Sequence, residues 1–179
     1  MNGTTARFLW KFAADPRRIG ALQPATDRLA QRVAQAAQVA RQQSAATALP
    51  LVELGAGTGA LTRALAALQP VVVERDGAWA NQLRQAFPQL EVRTECALQT
   101  LARLDTPVGL VSSIPLRNNP QAQALRAALG RAHAQGLIRY CVLYTYGLAD
   151  PLRGVGFAER RRVALVLGNL PPARVWAYR

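Results

Sequence analysis

Two patterns of hydrophobic residues alternate along this chain: short apolar runs and stretches with helical spacing. Short runs bounded by glycine, proline or polar clusters are typical of strands. They predict strands over 49–52, 71–73, 90–93, 107–113, 137–146, 163–167 and 174–178. Apolar residues that recur every three or four positions predict helices over 5–14, 26–41, 60–68, 77–87, 97–104 and 120–133.

The order of these elements predicts the fold class. Strands that alternate with helices form a mostly parallel sheet with helices on both faces, so we expect an α/β, Rossmann-like, doubly wound sheet of seven strands. The last two strands are joined by the turn-rich segment 168–173, which is short enough for an antiparallel C-terminal hairpin. We expect one globular domain overall, with 1–47 as an N-terminal helical extension and 48–179 as the α/β part.

The segment 53–59, which reads E-L-G-A-G-T-G, separates the first predicted strand from the helix after it. Glycine accepts positive φ and lets a ligand approach the backbone closely. A dinucleotide fingerprint has the spacing G-x-G-x-x-G and holds a pyrophosphate. Here the spacing is G-x-G-x-G and Glu53 stands before it. A carboxylate would repel a pyrophosphate and would suit a ligand that carries an amino group.

A second acid, Glu74, closes the second apolar run, about twenty residues after the first. An acid at the end of a second strand can accept both hydroxyls of a ribose. The glycine-rich segment and the two acids together resemble the cofactor site of class I S-adenosylmethionine (SAM) methyltransferases. The alternatives are another Rossmann-type ligand or a tight strand-to-helix turn without a ligand.

The net charge of +12 is concentrated at the two ends of the sequence. Residues 1–47 and 151–179 each carry +5, whereas 48–150 carry +2. Basic ends on a nearly neutral middle indicate an anionic macromolecular partner, which can be RNA, DNA or an acidic membrane surface. The cysteines, Cys96 and Cys141, lack metal-type spacing, so we expect reduced thiols and no metal.

The first predicted helix is amphipathic. Phe8, Leu9 and Phe12 share one face, and Trp10 lies near the boundary. A basic ridge is formed by Arg7, Lys11 and Arg18. Such a helix can lie in the headgroup region of a membrane. The alternative is an ordinary helix packed on the domain with solvated charges.

The segment 112–116, which reads S-S-I-P-L, closes the fourth predicted strand. It is placed like the N-L-P-Y motif of rRNA adenine dimethylases, in which the Asn side chain and a backbone carbonyl bind the target amine. Ser113 holds the Asn place and Leu116 the aromatic place. Without the aromatic ring there is no stacking platform for a flipped base, which argues against a nucleobase substrate.

The chain as a whole resembles the bacterial phospholipid N-methyltransferases, which act on phosphatidylethanolamine or, in relatives, on ornithine lipids. The resemblance runs nearly end to end. It covers 8–12, 15–24, 53–59, 83–88, 112–116, 145–147 and 169–176. The last block, N-L-P-P-A-R-V-W, is the most specific because generic methyltransferases do not end in it.

The resemblance implies SAM-dependent methyl transfer to a lipid amine, with S-adenosylhomocysteine as product, and docking through the N-terminal helix. The residues that would contact the cofactor are Gly20, Gln23, Glu53, Leu54, Gly55, Ala56, Gly57, Thr58, Gly59, Glu74, Arg75, Glu95, Cys96, Ala97 and Ser112. Those that would position the substrate amine are Ser113, Ile114, Pro115 and Tyr146. Candidates for holding the rest of the lipid are Leu116, Arg153, Tyr178 and Arg179.

One position departs from the family in a way that concerns the cofactor. The family usually has Gly-Asp-Ala after the third strand, and its Asp meets the adenine amino group, whereas this chain has Glu95-Cys96-Ala97. Either Glu95 takes over that contact or the adenine pocket is weakened. A SAM-binding protein without catalysis therefore stays open, as does an RNA adenine N-methyltransferase, for which the basic charge is equally natural.

With no signal peptide and no apolar run of about 20 residues, we expect a cytoplasmic protein that is peripheral at the inner membrane. We expect it to be monomeric when soluble, with an anionic membrane surface and a lipid substrate as partners and RNA as the less favoured one.

Overall fold

The computed structural model describes residues 25–44, 49–116, 119–169 and 171–179. The helices in these ranges are α1 (Asp27–Gln43), α2 (Ala60–Leu65) with a following 3-10 turn (Ala66–Leu68), α3 (Gly77–Ala86), α4 (Ala97–Ala102) and α5 (Ala122–Ala134). The strands are β1 (Leu51–Leu54), β2 (Val71–Glu74), β3 (Val92–Thr94), β4 (Val108–Ser112), β5 (Ile138–Thr145), β6 (Arg160–Val166) and β7 (Ala173–Tyr178).

The strands form one sheet in the order β3-β2-β1-β4-β5-β7-β6. Strands β1 to β5 are parallel, and β7 pairs antiparallel with both β5 and β6. This confirms the predicted Rossmann-like, mostly parallel sheet with a C-terminal antiparallel pair. Because β1 to β5 are parallel, their carboxyl ends meet at one edge, which is where open α/β sheets bind ligands. We call this edge the upper edge.

Helix α1 begins at Thr26, whose side chain caps it by accepting a hydrogen bond from the Leu29 amide at 3.3 Å. Its apolar stripe, Leu29, Val33 and Ala37, is fully buried against the sheet face that also carries Val111. The helix therefore shares a core with the strands. The predicted boundary between 47 and 48 falls beside undescribed residues and stays a prediction.

Three hydrophobic clusters of the described residues cover the two faces of the sheet, and the smallest lies between α3 and strands β2 and β3. Helices α1 and α2 cover one face, and α4, α5 and the loop before β6 cover the other, where Leu110, Leu129 and Leu152 are fully buried. We call these the α1 face and the α5 face. Within the described part of the chain, no helix is long and apolar enough to cross a membrane.

The predicted sixth strand begins three residues too late. Strand β6 starts at Arg160, because Glu159 and Arg179 exchange both backbone hydrogen bonds, at 2.9 and 3.0 Å, and extend the hairpin. Because residues 160–162 are arginines, the hydrophobic pattern does not predict this extension. An edge strand can carry such charges because one of its sides faces solvent.

Candidate functional site

The glycine segment forms an open cradle at the upper edge. Gly55, Gly57 and Gly59 all have positive φ, at +75°, +54° and +79°. The amides of Gly55 and Ala56 donate to the Val73 carbonyl at 2.8 and 3.3 Å, which ties the loop to β2. A Cβ on Gly57 would meet no atom within 4 Å. The backbone there therefore faces free space that a ligand can occupy.

The first glycine has a packing role as well. A Cβ on Gly55 would lie 2.6 Å from Cγ1 of Ile114, in the segment that follows β4. The glycine loop and the segment 112–116 are therefore in direct contact. A ligand in the cradle and a group bound at the end of β4 would be neighbours.

Glu74 lies at the end of β2 with its side chain almost fully buried. Its Oε2 accepts the Gly57 amide at 2.8 Å and its Oε1 accepts the Asp76 amide at 2.9 Å. A carboxylate has about four acceptor positions, so each oxygen can still accept one more donor. Glu74 thus holds the glycine loop in shape and keeps capacity for a pair of hydroxyl groups.

Glu53 is also fully buried, but neither of its carboxylate oxygens has a hydrogen-bond partner among the described residues. Burial raises the pKa of Glu53 to about 8; Thr62 partly opposes the rise and the Glu74 carboxylate adds to it. The Thr62 hydroxyl lies nearby and is itself unpaired within the described part of the chain, so its effect comes from proximity without hydrogen-bond geometry. Glu53 is therefore a buried acid without a hydrogen-bond partner among the described residues, which favours the binding of a positively charged group.

The acid after β3 has its hydrogen-bond partners on α4. The Glu95 carboxylate accepts the Thr100 hydroxyl at 3.0 Å and pairs with Arg103 at 3.4 Å, both of them along α4. Glu95 is therefore engaged along α4, and its contact with an adenine stays a prediction. Cys96 caps α4 and is half-buried at the upper edge, which makes it the side chain that stands where the family has Asp.

Strand β4 ends in two serines that behave differently. Ser112 is buried and its hydroxyl accepts the Ile114 amide at 3.3 Å, so it shapes the turn. The Ser113 amide donates to the Leu54 carbonyl at 3.0 Å, while its Oγ is buried and unpaired among the described residues. Because Glu53 pairs with Val111 and side chains alternate, Ser113 is directed to the α1 face, as Glu53 is.

The rest of the segment after β4 is half-buried. Ile114 and Leu116 pack against the core of the α5 face, and the Pro115 carbonyl accepts the Asn119 side chain at 2.9 Å. Asn119 also caps the following turn by accepting the Gln121 amide at 2.9 Å. The segment is therefore held at both ends, which keeps the Ser113 hydroxyl in place.

Tyr146 stands just beyond β5, on the α1 side of the upper edge. Its hydroxyl accepts the Asn169 side-chain amide at 3.3 Å, and its ring meets that of Tyr144 edge-on at 5.8 Å. Asn169 is fully buried, and its Oδ1 accepts the Thr26 hydroxyl at 2.5 Å. Asn169 thus links α1, the β6–β7 turn and Tyr146. A polar residue inside G-N-L-P-P is a typical turn signal, which predicts a turn but no site role for Asn169.

Two predicted substrate residues lie in the wrong place. Tyr178 is fully buried, and its hydroxyl donates to Asp150 at 2.7 Å. It pairs with Cys141, in the middle of β5, because β7 runs antiparallel. Arg179 follows it towards the lower edge, where its guanidinium pairs with Glu159 at 2.5 Å. Neither is available at the upper edge, so both assignments are wrong. Arg153 is exposed on the loop that packs against α5 and stays a prediction.

Other predicted residues are placed as follows. Leu54 and Ala56 are buried, Thr58 and Ala97 are half-buried, and Arg75 is exposed beside Glu74. The assignments to Gly20 and Gln23, and the membrane assignments to 7–12, lie outside the described residues. Within 25–44, 49–116, 119–169 and 171–179, no group of His, Cys, Asp and Glu could hold a metal ion.

The arrangement fits a ligand that combines an ammonium group with a ribose. Glu53 offers an uncompensated carboxylate, Gly57 offers open space, and Glu74 offers two acceptor oxygens. Ser113 adds an unpaired hydroxyl beside them. These groups suit the amino-acid end, the backbone approach and the sugar of a nucleoside with an amino-acid tail.

No family model matches the chain, and no curated protein matches it. Several similar solved structures are methyltransferases, at low sequence identity. Magnesium protoporphyrin IX methyltransferase (ChlM) from Synechocystis PCC 6803, solved with bound SAM, is 15% identical at a TM-score of 0.54, covering 100% of this chain and 98% of that one. N-methyltransferase NodS from Bradyrhizobium japonicum WM9 is 12% identical at a TM-score of 0.59, covering 83% of this chain and 93% of that one.

A third similar structure is the 1,6-didemethyltoxoflavin-N1-methyltransferase of Burkholderia thailandensis, solved with its toxoflavin precursor and S-adenosylhomocysteine. It is 16% identical at a TM-score of 0.54, covering 98% of this chain and 86% of that one. At such identities the likeness shows the fold: this chain has the fold of those SAM-dependent methyltransferases.

Proposed function

We propose that this chain is a SAM-dependent N-methyltransferase that acts on the amine of a membrane phospholipid or aminolipid. The observation that carries the proposal is the presence of two buried polar groups, Glu53 and the Ser113 hydroxyl, on one face of the upper edge without a partner among the described residues. Burying polar groups without partners costs free energy, so their retention indicates ligands. The fold that the chain shares with solved SAM-dependent methyltransferases supports SAM as the first ligand.

The cofactor would be held by the first two strands. Glu53 would receive its ammonium group, the Gly57 backbone would face its chain, and Glu74 would accept its ribose hydroxyls. When bound, SAM supplies a methyl group already activated by a sulfonium, so the protein contributes mainly positioning and exclusion of water.

The substrate amine would be held at the end of β4. The Ser113 hydroxyl can accept a hydrogen bond from an amine, and its lack of a partner among the described residues leaves it free to do so. The Tyr146 hydroxyl oxygen, fixed by Asn169, can accept a second hydrogen of the amine from the side of β5. Two oxygens on neighbouring strands would fix the amine and leave its lone pair directed towards the cofactor.

The lipid part of the proposal rests on three supports. Leu116 stands where a base-methylating enzyme presents an aromatic ring, which makes an aliphatic amine the better substrate. The charge of +12 suits an anionic surface. The sequence resemblance to phospholipid N-methyltransferases runs through the segments 53–59, 112–116 and 169–176. An RNA N-methyltransferase is the second candidate, because the same charge favours RNA.

Transfer of a labelled methyl group separates the two candidates. The protein is incubated with methyl-labelled SAM and either vesicles of phosphatidylethanolamine and phosphatidylglycerol or total RNA. Label in the lipid fraction is expected. A chain lacking residues 1–13 should bind SAM normally but lose lipid methylation, because the predicted amphipathic helix is absent. Label in RNA alone, unaffected by this deletion, would support the RNA candidate and overturn the lipid one.

A further inference from the structure

Exposed leucines gather at the upper edge, on the side away from the cofactor cradle. Leu148 is 81% exposed, Leu167 is 71% exposed and Leu165 is 47% exposed. Isolated exposed leucines are ordinary on protein surfaces, but a group at one end of a sheet indicates an interaction. We call Leu148, Leu165 and Leu167 the leucine face.

The sheet register brings these three residues together. Arg174 of β7 pairs with Thr145 on one side and Leu165 on the other. Leu148 follows Thr145 by three residues, and Leu167 follows Leu165 by two. Since neighbouring strands are about 4.8 Å apart, the leucine face spans about two strand spacings at the upper edge.

Basic groups border the leucine face. The Arg174 guanidinium donates to the Gly147 carbonyl at 3.3 Å, next to Leu148. On the other side, the Arg28 guanidinium reaches the β6–β7 turn, because a Cβ on Gly168 would lie 3.9 Å from its Nη1. Arg28 is exposed and makes no ion pair with another described residue, and Asp27 beside it is the acid of the first turn of α1.

We infer that the leucine face is a second membrane-docking surface, which inserts Leu148 and Leu167 into an anionic bilayer while Arg28 and Arg174 contact phosphate groups. Apolar tips bordered by arginines match the chemistry of the bilayer interface, where leucine enters the acyl region and arginine stays at the headgroups. This inference rests on the proposed function, because it brings Ser113 and Tyr146 towards the membrane that would carry the substrate amine.

The position of the leucine face links membrane docking to the proposed substrate site. Tyr146 follows Thr145 directly and is held by Asn169 of the same β6–β7 turn that carries Leu167. Docking through this turn would set the distance between the bilayer and the end of β4. The N-terminal helix, if it binds membrane, would act in addition and from another part of the chain.

Vesicle sedimentation of the whole chain tests the inference. The probes are vesicles of phosphatidylglycerol with phosphatidylcholine, and vesicles of phosphatidylcholine alone. The double variant Leu148→Ser/Leu167→Ser should lower the partition coefficient on anionic vesicles about tenfold or more, since two leucines no longer enter the bilayer. Val39→Ser is the matched control; Val39 is 44% exposed on α1 away from the surface and should partition like the native chain.

A second pair of variants tests the contribution of the arginines that border the leucine face. Arg28→Gln should lower binding to anionic vesicles about fivefold at low salt, the effect of one basic residue near such a surface. Arg131→Gln removes an exposed arginine in the last turn of α5, at the lower edge, and should change nothing. Binding to phosphatidylcholine alone should be weak for every variant.

Three results would overturn the inference. The native chain does not sediment with anionic vesicles at low salt. The double variant sediments as strongly as the native chain. Sedimentation velocity shows a native dimer that the double variant abolishes, which would make the leucine face a contact between copies of the chain.

Failure of the proposed function is distinguished by a separate assay. Short-chain phosphatidylethanolamine, dispersed as monomers, should be methylated equally by the native chain and the double variant, whereas phosphatidylethanolamine in vesicles should be methylated more slowly by the variant. If neither form is methylated by either protein, the proposed function fails. The vesicle-binding experiments then decide the docking inference by themselves.

Discussion

Glu53 and Glu74, near the ends of β1 and β2, are both buried. They differ in the hydrogen bonds that they accept from the surrounding backbone. Glu74 accepts two backbone amides, one of them from Gly57 in the glycine loop. Glu53, one strand away, has no partner within the described part of the chain. The fold therefore supplies hydrogen bonds to the acid on β2 and, within the described residues, none to the acid on β1.

This difference explains the raised pKa of Glu53. A buried carboxylate without hydrogen-bond donors is destabilised by desolvation. Burial raises the pKa of Glu53 to about 8. The folded chain thus holds a proton that the unfolded chain releases, so this acid reduces the stability of the ligand-free protein as pH rises from about 4.5 to about 8.

The largest expected effect follows from this loss of stability as the pH rises. Relative to the native chain, Glu53→Gln should gain about 2–4 kcal/mol in free energy of unfolding between pH 5 and pH 9, because the amide has no charge to bury. Urea denaturation at several pH values measures the gain. Glu91→Gln, at an exposed carboxylate that pairs with Arg93, is the control and should follow the native pH profile. A Glu53→Gln profile parallel to the native one would contradict the contrast between the two acids.

Loss of Glu74, the acid that accepts two backbone amides, should weaken SAM binding. Glu74→Ala should weaken SAM binding by about 1–3 kcal/mol, because it removes a charged acceptor and releases the Gly57 amide. Calorimetry gives the affinity, and hydrogen exchange should show a less protected Gly57 amide. An unchanged affinity would remove Glu74 from the site.

The role of the open space at Gly57 can be tested by comparing an alanine substitution there with one at Gly136, a second glycine with positive φ. Gly57→Ala should cost about 1–2 kcal/mol of stability, since an L-residue is strained at φ +54°, and should also weaken SAM binding by filling the cradle. Gly136→Ala, at φ +74° with nothing within 4 Å, carries the same strain after α5. This control should lose stability and keep its SAM affinity. Equal affinities in the two variants would show that the cradle is not used.

The smallest effect concerns the end of β3. Cys96→Asp should strengthen SAM binding by less than about 1 kcal/mol, since it restores a polar group where the purine amino group is expected and provides a better helix cap. The variant should also discriminate better against a purine analogue without the 6-amino group. If neither quantity moves, Cys96 does not face the purine.

Much of the upper edge could be predicted from sequence, because in a parallel sheet the residues that end the strands share an edge. Glu53, Glu74 and Ser113 were assigned to the site from their places after apolar runs, and the fold brings them to that edge. The predicted pattern required only that strands and helices alternate.

The antiparallel end of the sheet could not be predicted in the same way. Tyr178 and Arg179 also follow an apolar run, but β7 runs the other way, so the end of that run lies away from the site. The partners of Glu95, Thr100 and Arg103, lie further along the chain at α4, and the apolar pattern does not predict these contacts. Asn169 was missed because its role depends on Thr26, which is 143 positions away in sequence.

Proton release on SAM binding tests the contrast between the acids most directly. Calorimetry at pH 7 in buffers of different ionisation enthalpy counts the protons exchanged. Glu53 holds its proton in the free protein, and the amino group of SAM, with an ordinary pKa of about 7.7–8.0, is mostly charged at this pH. The account predicts release of nearly one proton per SAM bound by the native chain, and far less by Glu53→Gln. SAM binding to the native chain without proton release, or equal release by both proteins, would contradict it.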